Sequence, residues 1–116
     1  MPAGQWRDAI AISGPLGDRT CHHLRAATHE ASGPILRDLR AIGGRHWFLV
    51  PIGTAATWRE HGTEALGDGS YIGIPISLDV PALGISWASR PDALPQHVDP
   101  GLLRLALAAA RNGGRL

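Results

Sequence analysis

Histidine and arginine carry most of the chemistry open to this chain. It has six histidines and eleven basic residues, and every basic residue is arginine. With no lysine, a Schiff-base lysine and a Walker-type phosphate lysine are both excluded. What remains is the arginine fork, which suits bidentate contact with phosphate or carboxylate. One run concentrates residues that hold anions: "IGGRHWFLVP", residues 42 to 51. Gly43 and Gly44 tolerate positive φ and let backbone N–H groups approach an anion. Arg45 and His46 can add charge-assisted bonds to phosphate oxygens. In a strand, however, residues 45 and 46 point to opposite faces, so only one of them would meet a ligand on a given face. Spacing alone favours the plainer reading, a hairpin with a Gly-Gly turn.

The other reactive types are dispersed. His22 and His23 are followed by His29, which invites a metal reading. Helix neighbours at i and i+1 do not face each other, and no His-x3-His pair occurs, so these histidines are expected to be structural or solvent-facing. His61 and His97 fall in loops with no motif beside them. Cys21 is the single cysteine, which rules out an internal disulfide and a cysteine zinc site and leaves a small core residue. The ten carboxylates are scattered, with no Asp-x-Asp pair. Two-metal phosphoryl transfer needs clustered carboxylates to hold both cations. No nucleophile elbow, P-loop or H-E-x-x-H motif is present.

The elements that must position these residues follow from periodicity. "DAIAI" (8 to 12) alternates, with Ile10 and Ile12 on one face, and predicts a strand. Ser13 or Gly14 then caps a helix with Pro15 in its first turn. Leu16, Thr20, Leu24, Ala27 and Ala31 form its buried stripe, with Cys21 beside it. Gly33-Pro34 ends it, and "ILRDL" (35 to 39) is a second strand. "HWFLV" (46 to 50) is the strongest strand signal. Residues 53 to 61 form a loop or short helix. "TEAL" (63 to 66), "GDG" and "SYIGIP" (70 to 75) read as a hairpin, and "GISWA" (84 to 88) as a last strand. Asp99 caps a closing helix with Pro100 at its first position; Leu102, Leu103, Ala106, Leu107 and Ala110 form its apolar face, and Asn112-Gly113 ends it. This order predicts an α+β fold: a mostly antiparallel sheet of four to six strands with two main helices packed on one face.

Composition sets the outer bounds. At 116 residues with 44% hydrophobic and 18% charged residues, the chain is expected to form one globular domain over residues 1 to 116. A net charge of +1 argues against a broad electrostatic grip on duplex DNA. No apolar run approaches ~18 residues, so no membrane span is expected. No basic-then-apolar leader opens the sequence, and a cytoplasmic location is the expectation.

Three segments, in order, resemble bifunctional primase–polymerase (prim-pol) domains. "GPILRDLRAIGGRHWFLVP" is similar to the family's P-T-x…G-G-x-H segment. "LGDGSYIGIPIS" is similar to its G-D-G-G-Y segment, and "GISWASRPDALPQHVDPGLLRLAL" to the strand, loop and helix that follow. The likeness spans roughly residues 6 to 107. The chain is also similar to small uncharacterised actinobacterial proteins described only as primase-like. The resemblance implies a sheet of RNA-recognition-motif-like topology. It also implies a metal-binding Asp-x-Asp at the end of the first strand, a second-motif histidine on the nucleotide's phosphates, and a further carboxylate.

Carried over residue by residue, the histidine is His46 and the small residue before it is Gly44, where many members have Ser. The third carboxylate falls near Glu64, as Glu for Asp. The first motif falls on Ala11 to Ser13, where both aspartates expected to face His46 are absent. Asp8 sits at the wrong end of its strand, and a slip of three residues would turn it to the other face. Without those carboxylates ordinary polymerase activity is not expected, so the implied catalytic role is reduced to His46 and Glu64, with Mg or Mn needed only for residual activity and no other cofactor.

The leading expectation is a non-catalytic domain that binds nucleotide or single-stranded nucleic acid, accessory to DNA replication or a mobile element. Gly43, Gly44, Arg37, Arg40, Arg45 and His46 would make the phosphate contacts and Trp47 would offer a stacking surface. The first alternative is a scaffold that meets a replication protein or a second copy of itself, with Trp58 at the interface. The second is a residual nucleotidyl-transfer or phosphoester enzyme in which Glu64 or Asp68 orients His46 as a general base.

Overall fold

Alternation along the first strand sets the architecture. In β1 (Asp8–Ser13), Ile10 and Ile12 face one side and Ala9 and Ala11 the other, and all four are buried. A strand buried on both faces belongs in the interior of a sheet, with a strand on either side. The computed structural model describes residues 8–39, 43–67, 85–89 and 97–112. After β1 come α1 (Gly14–Ala27), β2 (Ile35–Asp38), β3 (Arg45–Val50), the single turn α2 (Thr54–Thr57), β4 (Glu64–Leu66), β5 (Ile85–Ser89) and α3 (Pro100–Asn112). The five strands are ordered β4-β1-β3-β2-β5 and every pairing is antiparallel. β3 lies between β1 and β2, so the β1–α1–β2 passage is a split β-α-β unit. The fold is therefore α+β, a five-stranded antiparallel sheet with two main helices against it, as the sequence predicts. The predicted strand at 70 to 75, Asp68, Arg40 and Gly113 lie outside the described residues.

Both helices start where their signals stand. Ser13 is the N-cap of α1 with extended backbone, φ −93° and ψ 157°, although its side chain makes no capping bond. The Asp99 carboxylate does cap α3, accepting from the N–H of Gly101 at 2.8 Å and of Leu102 at 3.3 Å. The buried stripe of α1 is Gly17, Thr20, Cys21 and Leu24, shorter than the periodicity predicts. The helix ends at Ala27, and the chain turns through positive φ at His29 and Glu30, leaving Ala27 and Ala31 exposed. A two-bonded Arg25–Glu30 pair, 2.8 and 3.0 Å, braces that turn. Leu103, Ala106, Leu107 and Ala110 bury one side of α3, while Leu102 faces solvent, contrary to the expected stripe. The two helices lie side by side, joined by Arg19 Nε donating to the Ala110 carbonyl at 3.2 Å. Beneath them, Ile10, Ile12, Ile35, Phe48 and Val50 of the sheet pack with Leu24, Val98, Leu103 and Leu107.

The opposite face of the sheet is buried too. Ala9, Ala11, Leu36, Trp47 and Leu49 form a second apolar cluster, with Leu66 and Trp87 packed against it. Trp58, expected at an interface, is also internal at 3% exposure. Its indole N–H donates to Thr63 Oγ1 at 2.8 Å, and the Arg104 guanidinium lies 5.0 Å from its ring centre. Glu60 reaches both Arg104, at 3.5 Å, and Arg111, at 3.7 Å, and Arg111 donates to the His61 carbonyl. The loop holding Trp58 is thereby tied to α3, which turns an indole in a nominal loop into core.

Candidate anion-binding site

Strand register decides which of the singled-out residues meet. His46 is paired with Ile12 on one side and Arg37 on the other, so Arg37 and His46 share the helix-covered face. Arg45 is paired with Ser13 and Asp38 and takes the other face. There its Nε donates to Ser13 Oγ at 3.2 Å and its guanidinium lies 5.5 Å from the centre of the Trp47 ring. The expected phosphate set is thus split across the sheet, the geometric result of adjacent positions on a pleated strand.

Above Arg37 and His46 lies one wall of α1. Asp18, Cys21, His22 and Arg25 recur at helical spacing and, with Arg19 and His23, line a cleft of about 390 Å³. Among the described residues, three arginines face it against one carboxylate. Arg25 is engaged by Glu30, and Arg19 by the end of α3. Arg37 is exposed and has no ion pair among the described residues.

His46 closes the inner end of the cleft. It is 4% exposed, and its ring stacks on Phe48 with centres 6.2 Å apart. Both ring nitrogens are buried without a hydrogen-bond partner. Burial holds its pKa below the ordinary value of 6.5; Asp18 acts in the raising direction and Arg37 in the lowering one. The ring is therefore neutral at pH 7, with one N–H donor and one acceptor that are both buried without partners. A buried polar group without a partner costs about 1–3 kcal/mol. Gly17 is what allows α1 to descend so far. A Cβ at this position would collide with the Ile12 carbonyl oxygen and lie 3.2 Å from His46 Nδ1. Cys21 is a buried thiol whose pKa is pushed up by desolvation, so it presents no thiolate nucleophile here.

The other singled-out residues lie elsewhere. Gly43 and Gly44 do need glycine, with φ of +79° and +80°. The Gly44 carbonyl accepts the Gly14 N–H at 2.9 Å, joining this turn to the start of α1. Trp47 is 8% exposed and offers no free stacking face. Glu64 pairs with Ala11, and Ala11 with Trp47, so Glu64 lies on the face away from His46 and cannot orient it. Ala11 and Ser13 are on that same far face, so the positions matched to the missing aspartates do not face His46. Asp8 is used at the opposite end of β1, where its Oδ2 accepts the N–H groups of Gly53, at 2.9 Å, and Ala55, at 2.8 Å. The described residues hold no group of three or more His, Cys, Asp or Glu placed to bind a metal ion. A search for paired histidines alone misses the α1 wall. Its signal is the Asp18, His22 and Arg25 spacing of i, i+4 and i+7, which places three polar side chains on one helix stripe. No helix of the described residues is long and apolar enough to cross a membrane.

No protein-family model, curated protein or solved structure matches the chain.

Proposed function

We propose that this chain is a degenerate prim-pol-like domain of the cytoplasm, accessory to DNA replication or a mobile element, that binds a nucleotide through its phosphates and does not catalyse. The observation that carries the reading is the Arg37–His46 pair on the helix-covered face, roofed by the arginines and histidines of α1. Guanidinium forks and an imidazole donor match phosphate oxygens in charge and geometry. The strand order, with β3 inside a split β-α-β unit, supports the prim-pol-like part. The non-catalytic part follows from Ala11 and Ser13, whose side chains cannot replace the metal-holding carboxylates, and from Glu64, which sits across the sheet from His46.

Binding single-stranded nucleic acid is the weaker form of the reading, because Trp47 is covered. The scaffold alternative loses Trp58 to the core in the same way. The test is calorimetric titration at low salt with a nucleoside triphosphate and with single-stranded DNA. The triphosphate should bind, and Arg37→Ala should weaken it at least tenfold. A flat titration with both ligands would reject the proposal.

A further inference from the structure

We infer that the seam between α1 and β3 is an acid-operated latch: protonation of His46 parts α1 from the sheet and uncovers Cys21. The device needs no ligand, so it stands apart from the nucleotide-binding reading and goes beyond it.

The closed seam has no place for a charge. His46 is 4% exposed, and neither ring nitrogen has a hydrogen-bond partner. Gly17 of α1 roofs it so closely that a Cβ there would lie 3.2 Å from Nδ1 and would strike the Ile12 carbonyl oxygen. The Phe48 ring stacks on it from within its own strand. A neutral imidazole carries one N–H, whereas an imidazolium carries two and a full charge. A buried charge without a hydrogen-bonded partner is strongly unfavourable, so the ring either stays neutral or meets water. β3 is held between β1 and β2, so α1 is the cover that can move. It is lightly fastened to the sheet: its buried stripe is Gly17, Thr20, Cys21 and Leu24, with one large aliphatic side chain.

The charged and titratable groups around His46 decide the sign. Among the described residues, α1 brings Asp18, Arg19, Cys21, His22, His23 and Arg25 to the same cleft, and β2 brings Arg37. β1 sets the apolar Ile12 beside His46. Asp18 favours the imidazolium in place and so opposes opening, while Arg37 disfavours it. Burial outweighs both and holds the ring below its ordinary value of 6.5. The closed seam is therefore at full strength above that value and weakens as the pH falls through the depressed one. Cys21 lies one turn beyond Gly17 on the buried stripe, is 5% exposed and is the chain's single cysteine. Its thiol becomes reachable when the seam parts.

The experiment is labelling of Cys21 in the whole chain with 4,4′-dithiodipyridine between pH 7.5 and 5.0. Each rate is divided by that of the urea-unfolded chain at the same pH, which removes the titration of the thiol itself. One proton with an ordinary value of 6.5 caps the rise at about thirtyfold over this range. A rise of about fivefold or more is expected, with the far-UV circular dichroism unchanged. His46→Gln cannot titrate and should hold the rate flat while the other histidines still charge. Asp18→Asn, at an exposed position, should steepen the rise, because Asp18 favours the proton in the closed seam. A flat wild-type rate, an equal rise in His46→Gln, or a loss of dichroism together with the rise overturns the inference. Should His46→Gln fail to fold, a rise in Asp18→Asn no steeper than the wild type's overturns it instead.

Discussion

Gly17→Ala should destabilise the protein, although the same change in an ordinary helix stabilises it. In a helix interior, Ala is favoured over Gly by about 0.8–1 kcal/mol. Here the new Cβ would collide with the Ile12 carbonyl oxygen and approach its carbonyl carbon to 3.0 Å. Ile12 belongs to the interior strand β1 and is paired with His46 of β3, so its backbone is held by the sheet. α1 must lift instead. Overpacking of a tight contact costs roughly 1–3 kcal/mol, and a rigid backbone partner puts this case at the upper end. The net expectation is a loss of about 2 kcal/mol. With a urea slope of about 1–3 kcal/mol/M, the unfolding midpoint should fall by roughly 1 M. Lifting α1 also hydrates His46, so its pKa, read by NMR titration of the ring protons, should move back up toward the ordinary value. An unchanged or higher midpoint would show that the close approach of α1 to β1 is not what holds Gly17 in place.

Other outcomes follow from the same geometry. Because burial lowers the native pKa of His46, the folded chain binds fewer protons there than the unfolded one. Its contribution to stability is complete above about pH 6.5 and is lost as the pH falls through the depressed native value. His46→Leu should therefore shrink the difference between urea midpoints at pH 7.5 and pH 5; an unchanged difference would assign that acid sensitivity to other groups. Asp8→Ala removes the acceptor of two backbone N–H groups at α2 and should cost about 1–3 kcal/mol in denaturant unfolding. Trp58→Ala should cost about 3–5 kcal/mol, as a core indole does, with no change in mass by light scattering. A shift in oligomeric state with little loss of stability would restore Trp58 to an interface.

Much of the fold is legible from local pattern because each element carries its own signal. Two-residue alternation marks 8 to 12, Pro15 and Asp99-Pro100 mark helix starts, and the positive φ of Gly43 and Gly44 answers to the Gly-Gly pair. The site is only half legible. His46 and Arg37 both stand out in the sequence, but as members of a set with Arg45 and Glu64 that the sheet separates. Trp47 and Trp58 resemble contact residues because an indole at a surface and an indole in a core look the same in a one-dimensional pattern.

By itself the sequence determined the types of the described elements, the starts of the two main helices, the all-arginine cationic chemistry and the absence of a paired carboxylate motif, all of them properties of residues close in the chain. Only the tertiary structure decided which face each side chain took and what met it there. A register shift of one residue exchanges the faces of a whole strand. In the observed register Arg37 falls beside His46 while Glu64, Ala11 and Ser13 go to the far side, and the approach of α1 at Gly17 turns a solvent-facing polar stripe into the wall of a cleft.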